Sequence, residues 1–120
     1  MNDKDFGLDP EQLKKADRER RDQEFFKIRR TSDLRKLLKL PEFRRFVWDS
    51  LSETGLFRAS FTSDAMTTAF NEGKRDNGLK LLAELNETDV SVFAQIQKEF
   101  VDEGIQRNKE ALKQEEKENG

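Results

Sequence analysis

Between Ala16 and Phe25 the chain holds no apolar residue, and past Ile105 only Ala111 and Leu112 interrupt a charged run. A hydrophobic core can be built only where apolar side chains are dense enough to be brought together. That confines the core to roughly residues 32–101 and leaves both ends outside it. A core that small is marginal, and domains of this size often draw on a disulfide, a metal or a partner. The chain of 120 residues has no Cys and no His, so disulfides and the common zinc sites are excluded. A partner chain or self-association is the expected aid. With no His, Cys or Tyr there is no Ser-His triad, thiolate nucleophile or imidazole base. Neither catalysis nor a cofactor is expected.

Charge is unevenly spread. Residues 14–45 carry thirteen Lys/Arg against six Asp/Glu, and residues 46–120 carry nine against fifteen. Such asymmetry suits nucleic-acid contact or complementary head-to-tail packing. The basic candidates are Lys14, Lys15, Arg18, Arg20, Arg21, Arg29, Arg30, Arg35, Arg44 and Arg45. Asp17, Glu19, Asp22 and Glu24 alternate with them and argue for an ordinary solvated helix instead. No apolar run approaches the 18 or so residues of a membrane span. The opening Met1-Asn2-Asp3-Lys4-Asp5 is unlike a secretory signal, so synthesis in a cytoplasm is expected.

The punctuation is helical throughout. Asp9-Pro10-Glu11 reads as a cap, a proline at the first helical position and an acid in the first turn. The helix that follows is polar all round, and Phe25, Phe26 and Ile28 are its means of docking to the core. Thr31-Ser32-Asp33 reads as a second cap, opening a short helix through Leu34, Leu37 and Leu38. Pro41 starts another, with Phe43, Phe46, Val47 and Leu51 as its buried stripe. Trp48 lies beside that stripe, either as a second core wall or as an interface anchor. Gly55 is the C-terminal stop, over which Leu56 folds back. A connector over 56–63 should lie across the helices through Phe57 and Phe61. Thr62 or Ser63 caps a long helix to about Leu85, and a turn capped by Thr88 leads to a last helix carrying Val92, Phe93, Ile96 and Phe100. Beyond it runs a charged helical extension or disordered tail. The expected fold is all-α, with four or five helices and long charged helices at both ends. Its regions are an arm over 1–31, a core over 32–101 and a tail over 102–120.

The cluster Gly73-Lys74-Arg75-Asp76-Asn77-Gly78 invites comparison with a phosphate loop. A Walker loop needs Gly at position 68 and Ser or Thr at position 75, where this chain has Thr68 and Arg75. On a helix, Met66, Phe70, Gly73, Asn77 and Leu81 share one side. That makes Gly73 a point of close backbone approach and Asn77 a buried amide that needs partners. Gly73→Leu should then disrupt packing, whereas Arg75→Ala should leave the fold intact. Glu72 and Arg75 project elsewhere, and Arg58 is a candidate partner for Glu72 or Asp76.

The stretches "VWDSLSETGLFRASF" and "FNEGKRDNGLKLLAEL" resemble a family of small proteins of tailed bacteriophages, chiefly short-tailed ones, encoded among virion-structure genes. The pattern rests on Trp48, Leu51, Gly55, Leu56, Phe57, Arg58, Ser60, Phe61, Phe70, Glu72, Gly73, Arg75, Gly78 and Leu79. It covers about residues 34–86. The resemblance implies a non-enzymatic virion or assembly component that contacts other virion proteins or copies of itself. Its expected location is the virion, after synthesis in the host cytoplasm, and its expected state a homo-oligomer or part of a larger assembly. Trp48, Arg58, Glu72, Arg75 and Asn77 are the interaction candidates. A nucleic-acid accessory using residues 14–45, or a regulator of a host protein, is the alternative.

Overall fold

Asp9 opens the first helix by exchanging bonds with Gln12. The Gln12 amide donates to Asp9 Oδ1 at 2.8 Å, and the Asp9 amide donates to Gln12 Oε1 at 3.0 Å. This reciprocal cap satisfies two donors that a helix start leaves free. The computed structural model describes Gly7 and residues 9–120, and the acidic opening Met1–Asp5 lies outside the described residues. Four helices follow: α1 (Pro10–Leu37), α2 (Pro41–Glu53), α3 (Ala65–Thr88) and α4 (Val92–Asn119). Among the described residues the all-α expectation therefore holds, with four helices.

The chain divides into two units, one ending at Lys36 and the other spanning Leu37–Gly120. In the first, α1 runs unbroken through Thr31-Ser32-Asp33, where a new start was expected. No Gly or Pro occurs between Glu11 and Leu40, and cap residues inside a helix lower its propensity without ending it. No residue of α1 is buried. Phe25, Phe26 and Ile28, expected to dock it, are all more than half exposed. The Arg29 guanidinium lies over both rings, 5.7 Å from the Phe25 centroid and 4.9 Å from that of Phe26.

In the second unit, Leu40 is extended (φ −92°, ψ 123°), as a residue before proline prefers, and Pro41 then opens α2. The helix closes at Gly55, whose φ of +76° is left-handed and whose amide donates to Ser52 O at 3.2 Å. Leu56 folds back and is buried. Gly55→Ala meets no steric obstacle but must hold that backbone. It should cost about 1 kcal/mol and lower the melting temperature by several degrees in a thermal scan.

The start of α3 is set by Asp64, not by Thr62 or Ser63. Asp64 Oδ2 accepts from the Thr67 amide at 3.1 Å and from the Thr67 hydroxyl at 2.5 Å. Thr62 instead bonds into the first turn, its amide donating to Thr68 Oγ1 at 2.8 Å. The Thr67 hydroxyl, followed by the Thr67 amide, holds the Asp64 carboxyl below the ordinary aspartate range. A lowered folded-state pKa makes the cap's contribution full above that range and lost as pH falls through the lowered value. In an NMR pH titration the Thr67 amide shift should therefore move at a pH below that of a free aspartate. In Asp64→Asn the same signal should stay flat.

At its far end α3 outruns the expected turn and stops at Thr88, which is the last helical residue rather than a cap. Its hydroxyl donates to Glu84 O at 2.9 Å. Asp89 then turns the chain by accepting from the Ser91 amide and hydroxyl at 2.9 and 2.7 Å. α4 continues to Asn119, well beyond its last buried residue, Ile96. The core is Leu38, Val47, Leu51, Leu56, Leu85, Val92 and Ile96.

Candidate interaction surface

The α2 stripe is rotated from the expected one. Arg44, Val47 and Leu51 are buried, while Phe43 is half-buried and Phe46 is 63% exposed. An arginine occupies the core because its fork has two acceptors there. Nη1 donates to Leu38 O at 2.8 Å, at the corner before α2. Nε donates to Glu99 of α4, at 2.8 Å to Oε1 and 3.2 Å to Oε2. One guanidinium thus joins the corner, α2 and α4, and its methylene stem adds apolar bulk.

One turn further along α2, Trp48 gathers an aromatic cluster. Its ring stacks on Phe57 of the connector at 4.9 Å and on Phe100 of α4 at 4.6 Å, with Phe93 at 6.4 Å. Phe57 and Phe93 are also 6.4 Å apart. Phe93, Ile96 and Phe100 recur at helical spacing, so one face of α4 supplies two rings and a buried isoleucine. The cluster is not sealed: Trp48 is half-buried, and Phe57 and Phe100 are nearly half exposed. Beside it α2 and α4 frame a groove of about 220 Å³, lined by Trp48, Phe100 and Ile96 and rimmed by charged side chains of both helices.

The glycine cluster lies within α3, as the helical reading requires, but its phase differs. Gly73 is exposed, and a Cβ there would meet nothing within 4 Å. Asn77 is exposed as well and needs no buried partners, and Met66 and Phe70 are 82% and 66% exposed. The close approach is at Gly78, which is buried. A Cβ there would overlap Thr54 Oγ1 and lie 3.0 Å from Thr54 Cβ and 3.3 Å from Leu56 Cβ. The expected wheel took its phase from Met66 and Phe70, whereas the packed half of α3 centres on Gly78 and Leu85.

The remaining candidates are dispersed. Glu72 is exposed and Arg75 half-buried. Arg58 reaches Ser52 O at a long 3.5 Å rather than Glu72 or Asp76. Phe61, expected to cover the helices, is 83% exposed. Of the basic residues, Lys14, Lys15, Arg18, Arg20, Arg21, Arg29, Arg30, Arg35 and Arg45 are exposed. Arg20 pairs with Asp17 at 2.7 Å. Arg44 is buried and committed to Glu99, so it leaves the basic set. Sequence reasoning did not single out Glu99, Asp49, Glu103 and Arg107 as site residues. The i, i+4 spacing of Glu103 and Arg107 is visible in the sequence, but their facing α2 depends on the helix pairing.

Fold and groove together define a small all-α protein with a partly uncovered aromatic face. The sequence model of the Bbp19-like phage protein family matches residues 34–101, more than half of the chain, and the chain belongs to that family. The match takes in α2, α3, the aromatic cluster and the Arg44–Glu99 pair. Comparison with curated proteins gives no match, and neither does comparison with solved structures. Among the described residues, no helix is long and apolar enough to cross a membrane.

Proposed function

We propose that this phage protein is a non-enzymatic component of the particle or of its assembly and acts through protein–protein contacts. One observation carries the reading. Seven apolar side chains are buried, whereas sixteen large apolar side chains among the described residues are exposed. Scattered exposed apolar residues are ordinary, but here they recur along single helices, as Met66, Phe70 and Leu79 of α3 and Phe100, Val101, Ile105 and Leu112 of α4, which is the pattern of contact surfaces. Membership of a phage family agrees with a place in the particle or its assembly.

Mass spectrometry of purified particles and of assembly intermediates tests this. The protein should be present in one or both at a fixed ratio to a structural protein. Its absence from both, with abundant protein in infected cells, would overturn the reading and favour a regulator of a host protein.

A nucleic-acid role for residues 14–45 draws support from the exposed bases of α1. It loses support from the buried Arg44, the Asp17–Arg20 pair and the interleaved acids. Phosphate contacts weaken steeply with salt. The expected result is no DNA binding at about 50 mM salt, and tight salt-sensitive binding would reinstate that role.

A further inference from the structure

We propose that the α2/α4 face is a two-fold interface between two copies of this chain. The proposal deepens the protein–protein reading above by naming one partner and the surface it uses.

The rings supply the first part of the argument. Phe57 is 48% and Phe100 43% exposed, and Trp48 between them, though largely covered, is not fully buried. Aromatic side chains bury about 150–250 Å² each when fully covered. The uncovered portion of this cluster is therefore a sizeable share of the roughly 800 Å² per partner that a standard interface needs. A desolvated aromatic centre inside a charged rim is also how binding energy is commonly concentrated.

The rim supplies the second part and decides the occupant. Arg44 and Glu99 are spent on each other, which leaves Arg45, Asp49, Glu103 and Arg107 around the groove. None of these four makes an ion pair among the described residues. Arg45 and Asp49 lie one turn apart on α2, and Glu103 and Arg107 one turn apart on α4. A two-fold interface places the same patch on itself, so a rim of one sign would repel its copy. This rim has two charges of each sign, and each helix carries both. A two-fold rotation can therefore bring the bases of one copy to the acids of the other. A basic or an acidic partner would meet two repulsive charges, whereas a second copy can meet none.

Paired charge reversals test the face in the full chain. Arg45→Glu with Arg107→Glu makes the rim wholly acidic, and Asp49→Arg with Glu103→Arg makes it wholly basic. By sedimentation equilibrium the wild type should dimerise. Each double variant should self-associate at least about 100-fold more weakly, and an equimolar mixture of the two should restore a dimer containing one of each. All four positions are at the surface of the groove, and circular dichroism checks that the helices persist. Iodide quenching of Trp48 supplies a measurement on the wild type alone, in which quenching should rise on dilution. A wild type that is monomeric up to about millimolar concentration, variants that dimerise like the wild type, a mixture that stays monomeric, or dilution-independent quenching would each overturn the proposal. A monomer that instead binds another particle protein through this face would overturn self-association while leaving the function proposed above standing. The particle assay addresses that function separately.

Discussion

Gly78→Leu should destabilise the protein by about 3 kcal/mol, the upper end of the cost of overpacking a close contact. Even the first added carbon overlaps Thr54 Oγ1, and two further carbons stand at 3.0 and 3.3 Å. Thr54 cannot swing aside freely. It is β-branched, it is the C-terminal cap of α2, and its hydroxyl donates to Leu51 O at 2.5 Å. The clash must therefore push α3 away from the end of α2 or break that bond. A smaller loss is expected for Gly78→Ala, because alanine returns about 1 kcal/mol of helix propensity. Combining it with Thr54→Ala, which removes the overlapping oxygen, should recover part of the deficit. Gly73→Ala supplies the contrast. That site is open, so the same propensity gain should appear as a stabilisation of about 0.5–1 kcal/mol. Urea unfolding followed by Trp48 emission measures all four. Equal effects at the two glycines would refute the assignment of the close contact to Gly78.

The second large effect is expected at Arg44. Arg44→Ala should cost about 2–3 kcal/mol, through a carbonyl left without its donor and a carboxylate left without its cation. The upper end of the range for buried pairs is not reached, because the Glu99 side chain keeps a third of its exposure. Arg44→Lys should rescue little, since one ammonium cannot reproduce a planar fork reaching Leu38 O and Glu99 together. Glu99→Gln keeps an acceptor and should lose less than Arg44→Ala. Equilibrium unfolding ranks the three, and a lysine variant as stable as the wild type would show that the fork geometry does not matter.

Local signals in the sequence located much of the fold. Pro41 and Gly55 bound α2 because each acts on its own backbone, as a proline at a first turn and a glycine at a left-handed closure. The spacing of Val92, Phe93, Ile96 and Phe100 placed a packed face on α4 because helical periodicity is also a local signal. What escaped depended on neighbours distant in sequence. Hydropathy favoured Phe46 over Arg44 as a core residue, and only the arrival of Glu99 and the Leu38 carbonyl makes the arginine the better choice. Gly73 and Gly78 are equivalent as helix residues, and only the end of α2 distinguishes them. All four aromatic rings were legible, Phe93 and Phe100 as apolar helix positions, Trp48 as a core wall or anchor and Phe57 as the connector's contact with the helices. Their meeting at Trp48 follows from how α2, the connector and α4 pack, which no window of sequence contains.

Beyond Phe100, the last ring of the stack, α4 continues as one helix to Asn119. That stretch is about 28 Å long at roughly 1.5 Å per residue. In geometry it is a lever arm, anchored at its near end by the Arg44–Glu99 pair and the ring stack, which would be the fulcrum of any tilt. A tilt of about 10° at the fulcrum carries the far end through about 5 Å, close to the pitch of one helical turn. Small repacking around Trp48 would thus be magnified at the tip into a displacement of about one helical turn.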